Sequence, residues 1–219
     1  YPEYTSSGWV LVLDHQAEGV DDVEMFARLQ QEYEEKFDMT WVGKYGFNNT
    51  FTIAVRGDVA EQYGLETTSD LAGAAGELTF GGNPDYLERE DGFPTLCKTY
   101  GLDFRNVVDI DIGLKYQALA SGDIDVTNAF TTDAQLANPD TDLVTLADDK
   151  HLQVNYFCST VVRRDALEKF PGLEEVLMQM DGILSDGEMA ALNYQVEVEG
   201  RDERDAARDF LLQKGLLEA

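Results

Sequence analysis

The chain reads as an α/β protein of two lobes, and three observations predict this. Through the middle of the chain, short apolar or β-branched runs alternate with helix-like stretches, the order that gives a sheet flanked by helices with mostly parallel pairing. From residue 165 onward the pattern is almost wholly helical, so the tail must pack on a sheet begun elsewhere. A central segment is flanked by two that belong together. Lobe I is therefore expected at 1–56 and 157–219, lobe II at 57–156, with two crossings between them.

Each element has a local cause. Residues 8–13, Gly-Trp-Val-Leu-Val-Leu, suit a short buried strand or a helix start. Asp21 or Asp22 caps a helix over about 22–37, with Val23, Phe26, Ala27, Leu29, Tyr33 and Phe37 as its apolar positions. Strands follow at 39–42 and 51–55, the second alternating and β-branched. Gly64 ends a short helix from 59, and 68–70 start another. Leu78-Thr-Phe-Gly-Gly is a strand running into a glycine turn. Helices are expected at 85–90 and 93–100, the latter closed by Gly101. A strand at 107–110, a helix at 113–120 stopped by Ser121 and Gly122, and a strand at 124–130 come next. A short helix at 131–136 and strands at 143–146 and 154–162 complete the middle. The tail carries helices at 165–170, 173–184, 186–198 and 201–214, with caps at Ser185 (before Glu188) and Asp202.

The composition narrows the function. The 219 residues are 43% apolar, enough for a packed core, and no run is long enough to cross a bilayer. Acidic residues number 43 against 16 basic ones, a net charge of −27. Such a surface disfavours nucleic acid, whose phosphates need Lys and Arg; it tolerates a cationic or zwitterionic small molecule. The first residue is Tyr1 and no charged-then-apolar leader follows, so the chain is read as processed or cut from a longer one. Cys97 and Cys158 show no metal spacing and read as two separate small buried residues. His15 and His151 are the only histidines and read as solvated loop positions. No Gly-x-Ser-x-Gly and no phosphate loop occurs. The acidic cluster at 88–91 and the pair Asp148 and Asp149 read as surface charge. No enzyme chemistry, cofactor or metal is expected.

Three segments are turn-rich, polar and aromatic at once: 1–7, 44–52 and 128–133. Ring faces attract a positive head group, while amides and hydroxyls hold a polar tail.

Seven motifs, nearly end to end and in order, carry a resemblance. They are Tyr-Pro-Glu-Tyr-Thr at 1–5, Gly-Phe-Asn-Asn-Thr at 46–50, Leu-Glu-Arg-Glu-Asp-Gly at 87–92, Asp-Ile-Gly-Leu-Lys-Tyr-Gln-Ala-Leu at 111–119, Gly-Asp-Ile-Asp-Val at 122–126, Asn-Ala-Phe-Thr-Thr-Asp at 128–133 and Leu-Asn-Tyr-Gln-Val at 192–196. The chain resembles the substrate-binding proteins of ABC importers for glycine betaine, carnitine and choline, the osmoprotectant-uptake type. The resemblance implies a two-lobe type II periplasmic-binding-protein fold. It also implies an incomplete first lobe, since the family's opening strand–helix–strand–helix stretch precedes Tyr-Pro-Glu-Tyr. It implies an extracytoplasmic location on a bacterial cell surface or in the periplasm, by lipid anchor or fusion to the permease, with permease subunits as partners. A lobe lacking its first strands exposes sheet edges and apolar faces, so either self-association or poor ligand binding is expected.

The site the resemblance implies is an aromatic cage between two lobes. Tyr4, Phe51, Phe130 and Tyr156 match its rings; Phe51 and Phe130 stand where the family often has Tyr. Thr5, Ser7, Asn48, Asn49, Thr50 and Thr131 match its polar positions, with Ser6 and Thr132 as neighbours able to assist. Thr131 is expected to open a helix whose free N–H groups meet a carboxylate. The ligand is a quaternary amine: glycine betaine, choline or carnitine. The alternative is ergothioneine or another trimethylammonium betaine on the same fold; an enzyme or a structural protein is the third reading.

Overall fold

A computed structural model describes residues 1–16, 21–89 and 92–218. In chain order the elements are β1 (Pro2–Tyr4), α1 (Thr5–Ser7) running into a wide π-helical turn (Gly8–Val12), α2 (Asp22–Phe37), β2 (Met39–Val42), β3 (Phe51–Arg56) and α3 (Gly57–Tyr63). Two 3₁₀ segments (Thr68–Gly73, Ala75–Glu77) lead to β4 (Thr79–Gly82), α4 (Pro84–Glu88), α5 (Phe93–Tyr100), β5 (Asn106–Asp109), α6 (Lys115–Ser121) and β6 (Val126–Phe130). A 3₁₀ turn (Ala134–Ala137), β7 (Leu143–Leu146), β8 (Cys158–Arg163), α7 (Arg164–Lys169), α8 (Leu173–Met178), α9 (Asp186–Glu197) and α10 (Glu203–Gln213) follow.

The chain divides into two compact units, Tyr1–Thr50 with Val154–Ala219, and Phe51–Gln153. The first unit holds a three-stranded sheet in the order β1-β8-β2, wholly antiparallel. Its middle strand comes from the second half of the chain, which is why the two ends of the sequence belong together. Trp9, Leu29, Tyr33, Trp41 and Val161 form one core; Phe47, Cys158 and Leu184 form another, against which Tyr4 and Tyr45 pack. Asp21 caps α2 by accepting from Val23 N and Glu24 N. The buried stripe of α2 is Met25, Leu29 and Tyr33, whereas Val23 and Phe37, expected inside, are exposed. Spacing of four from Met25 sets the phase, and Val23 lies off that face.

The second unit holds a five-stranded sheet in the order β5-β4-β6-β3-β7. β4 runs parallel to β5 and β6, while β3 runs antiparallel to β6 and β7. The expected mostly parallel pairing is therefore corrected: only the β4 pairs obey it. Parallel strands need a crossover, and β4, α4, α5 and β5 supply one; β3 and β7 pair as remote neighbours without one. The core beneath contains Val55, Leu71, Phe80, Leu96 and Val126. Residues 51–56, expected in the first lobe, lie here because β3 is laddered on both sides. Residues 154–156, expected in the second lobe, lie in the first unit.

Three further expectations change. The strand expected at 154–162 begins only at Cys158. Before it, backbone groups go to side chains: Val154 O accepts from Thr50 Oγ1 (2.7 Å), Asn155 O from Ser6 Oγ (2.5 Å), and Tyr156 N donates to Asn48 Oδ1 (2.7 Å). The helix expected over 173–184 stops at Met178. Gly182 N then bonds Lys44 O (2.7 Å) and Leu184 N bonds Tyr45 O (2.9 Å), which draws the chain out of the helix. Of the two readings open for residues 8–13, a strand or a helix start, the second holds: they are helical through Val12. The helix expected at 85–90 ends at Glu88, and Glu90 and Asp91 lie outside the described residues. No helix among the described residues is long and apolar enough to cross a membrane.

Candidate functional site

In the first unit the register of β1 on β8, Tyr4 opposite Cys158, brings the chain's start beside the segment that carries Tyr156. Thr5 N donates to Phe157 O (3.0 Å), and Phe157 N donates back to Thr5 Oγ1 (3.2 Å). The 48–50 loop closes on the same segment. Asn49 N donates to Tyr156 O (3.1 Å), and Asn48 Nδ2 to Asn155 Oδ1 (2.6 Å). Asn155 Nδ2 donates in turn to Asp22 Oδ2 (2.7 Å), anchoring the loop on α2. The Asn49 side chain hydrogen-bonds the Tyr4 phenol. Burial raises the Tyr4 phenol's pKa, the neighbouring Cys158 adds to it, and the Asn49 bond opposes it. Tyr4 meets Phe47 edge-on, with ring centroids 6.5 Å apart. Tyr4, Thr5, Asn48, Asn49, Thr50 and Tyr156 are thus gathered in one unit, with Ser7 half-buried in α1 close by. Asn48 and Thr5 bind neighbouring backbone, so they shape the loop; Tyr4 and Tyr156 are half-buried.

In the second unit β3 and β6 pair so that Phe51 stands opposite Phe130. Their rings stack at 4.7 Å and 27°. Tyr86 of α4 joins them, 5.1 Å from Phe51. Both phenylalanines are half-buried at the ends of their strands, and Phe51 also packs on the core. The helix start expected at Thr131 is not there. Residues 131–133 form a turn, closed by Asp133 N donating to Phe130 O (3.0 Å) and Phe130 N donating to Asp133 Oδ2 (3.1 Å). The Asp133 carboxylate thus closes back on the end of β6.

The same carboxylate collects two more donors that sequence reasoning missed. Lys115 Nζ lies 3.1 Å from Asp133 Oδ2 and 3.0 Å from Asn128 O, on a residue only 2% exposed. Tyr116 Oη donates to Asp133 Oδ2 at 2.5 Å. Burial, then the Asp133 charge, pushes the Tyr116 phenol far above its ordinary range. The Lys115 ammonium is 4.9 Å from the Tyr116 centroid and 6.0 Å from that of Phe130. A buried lysine at the start of a helix carries no sequence signal beyond its place in the 111–119 motif.

His15, expected in solvent, stacks on Trp9 at 4.1 Å and pairs with Glu32 at 2.8 Å. Cys97 and Cys158 are free thiols, each pushed up to about 11 by burial first. No group of three or more His, Cys, Asp or Glu among the described residues could hold a metal ion. What the two ring groups offer is π surface beside amides and hydroxyls, which suits a cation that lacks N–H donors.

A family profile described as the substrate binding domain of ABC-type glycine betaine transport system matches residues 1–213. The ergothioneine transport permease/ergothioneine binding protein of Helicobacter pylori (strain G27) is 38% identical over 216 residues, 99% of this chain and 38% of that protein. The carnitine transport binding protein of Listeria monocytogenes serotype 1/2a (strain 10403S) is 34% identical over 199 residues, 90% of this chain and 64% of that protein. The chain thus spans less than two thirds of the length of these relatives. A crystal structure of a glycine betaine/carnitine/choline ABC transporter protein superposes with a TM-score of 0.89 at 32% identity, covering 97% of this chain and 77% of that one. The α/β fold is that of the type II periplasmic binding proteins.

Proposed function

Because this chain belongs to the family of substrate-binding domains of ABC-type glycine betaine transport systems, we propose that it captures a quaternary ammonium compound outside the cytoplasm and delivers it to an ABC permease. Glycine betaine, choline and carnitine are the candidate ligands. Tyr4 and Tyr156 of the first unit and Phe51 and Phe130 of the second supply the ring faces. A quaternary ammonium has no N–H, so hydrogen bonds cannot grip it. Each desolvated ring contributes roughly 1–2 kcal/mol instead. Asn49, Thr131 and Ser7 are proposed as polar contacts, with Thr5, Asn48 and Thr50 holding the loops that carry the rings. The two compact units are read as the two lobes of the fold.

The single observation that supports this reading best is the Tyr4–Asn49–Tyr156 arrangement. Two tyrosines far apart in sequence are tied together through one asparagine, whose side chain bonds the Tyr4 phenol and whose N–H bonds Tyr156 O. A second reading, ergothioneine as the ligand, is favoured by the Helicobacter pylori relative.

Calorimetric titration with choline, glycine betaine, carnitine and ergothioneine tests both. Saturable one-to-one binding of the first three without ergothioneine supports the first reading, and the reverse supports the second. Absence of binding to all four overturns both. Tyr156→Ala is expected to weaken binding at least about tenfold, the effect of deleting a single ring face from the cage; unchanged affinity would remove Tyr156 from the site.

A further inference from the structure

We propose that Asn128 is a specificity-determining residue and that its side-chain oxygen accepts a hydrogen bond from the ligand. The natural ligand would then carry an O–H or N–H donor in addition to its onium group. This rests on the onium reading above and narrows it.

Asn128 lies in β6 opposite Ile53 of β3, two residues before Phe130, which stands opposite Phe51. Side chains two apart on a strand share a face, so Asn128 is on the face that bears the stacked Phe51–Phe130 pair. It is 1% exposed. Its backbone oxygen accepts from Lys115 Nζ (3.0 Å). Its Nδ2 faces Asn83 Oδ1 at 3.5 Å. Oδ1 is buried with no hydrogen-bond partner. Asn83 immediately precedes α4, whose Tyr86 lies 5.1 Å from Phe51. The unpaired acceptor therefore stands on the strand face that carries the ring group of the second unit.

Buried acceptors left unpaired are rare and unfavourable, and a site built around one discriminates strongly against a ligand that lacks the donor. A quaternary onium cannot supply the proton from its nitrogen. A β-hydroxyl, as in choline or carnitine, can; so can an imidazole N–H. Glycine betaine, with only methyl groups and a carboxylate, cannot.

The test compares matched pairs by calorimetry: choline against n-propyltrimethylammonium, and carnitine against its deoxy analogue γ-butyrobetaine. The expected result is a preference for the hydroxylated member of each pair of about tenfold or more. Asn128→Leu is expected to bring the ratio to about one, and Asn128→Asp, which keeps an acceptor, to preserve it. A ratio near one in the unmodified protein overturns the proposal, and would be the result if a water occupied Oδ1. A folded Asn128→Leu variant that keeps the preference overturns it as well. Should the leucine variant not fold, the ratio in the unmodified protein decides. If no onium in either pair binds, the reading beneath this one has failed. If both members bind equally, that reading stands and only the role of Asn128 falls.

Discussion

Lys115 is a charged side chain that is only 2% exposed. Its ammonium is buried on α6 and held by Asp133 and the Asn128 carbonyl. Removing one member of such a pair leaves the other charge poorly compensated. Lys115→Met is therefore expected to cost about 3 kcal/mol in urea unfolding, at the low end for a buried pair, because the Asp133 side chain keeps 24% exposure. A loss below about 1 kcal/mol, the range of an exposed ion pair, would show that the Lys115–Asp133 pair does not hold the Phe130 turn. The residue scale also shows what the sequence could and could not disclose. Tyr4 and Asn49 stand in turn-rich aromatic segments that declare themselves locally, whereas Tyr156 stands in none of them and is proposed from the resemblance alone. The Lys115–Tyr116–Asp133 cluster is not legible, since it forms only when the start of α6 and the turn after β6 meet in the fold. The helix start expected at Thr131 fails for a related reason: nothing local says that Asp133 will fold back on Phe130 N and stop a helix from starting.

Elements are legible where a cap or a glycine marks their ends. Gly64, Gly101 and Gly122 adopt positive φ and close α3, α5 and α6 as expected. Strand direction is not legible, because pairing partners such as β1 and β8 lie far apart in the chain and no local pattern encodes them. Two predictions belong at this scale. Ser185 and Glu188 form a capping box on α9, and Lys214 of the α10 C-cap donates to Glu188 Oε1 at 2.7 Å. Lys214 first, then Ser185, lower the Glu188 carboxyl from 4.5 to about 2. Folding thus favours the carboxylate, so this contribution is fully present above pH 4.5 and is lost as pH falls toward about 2. Melts of the unmodified protein and Glu188→Gln should differ above that window and converge within it; a gap that persists at its acid end refutes the linkage. The second concerns the π-helical turn. A Cβ on Gly8 would sit 2.6 Å from Trp41 Cζ2 and 3.1 Å from Tyr33 Oη. Gly8→Ala should destabilise by about 1–3 kcal/mol through overpacking. Gly187→Ala in α9 meets nothing within 4 Å and should stabilise by up to about 1 kcal/mol through helix propensity. Equal effects at the two glycines would mean that the Trp41 contact is not tight.

At the scale of the whole molecule the governing quantity is the net charge of −27. Most ion pairs here are exposed, such as Arg163 with Asp165 and Arg164 with Asp38, and pairs of that kind contribute at most about 1 kcal/mol each. The surplus of acids has no such partners. Two unit charges 10 Å apart in water repel by about 0.4 kcal/mol, small singly but summed over many carboxylates held close by the compact fold. The unfolded chain spreads the same charges and relieves that repulsion, so low salt disfavours the native state. The Debye length falls from about 30 Å at 0.01 M to about 10 Å at 0.1 M and about 3 Å at 1 M. The screened repulsion outweighs the exposed ion pairs that are screened with it. Thermal unfolding at neutral pH should therefore move upward by several degrees between 0.01 M and 0.5 M sodium chloride, most steeply below 0.1 M where the Debye length exceeds the spacing of neighbouring charges. A midpoint that stays flat or falls over that range would mean that the exposed pairs, not the unbalanced acids, dominate the electrostatics of folding.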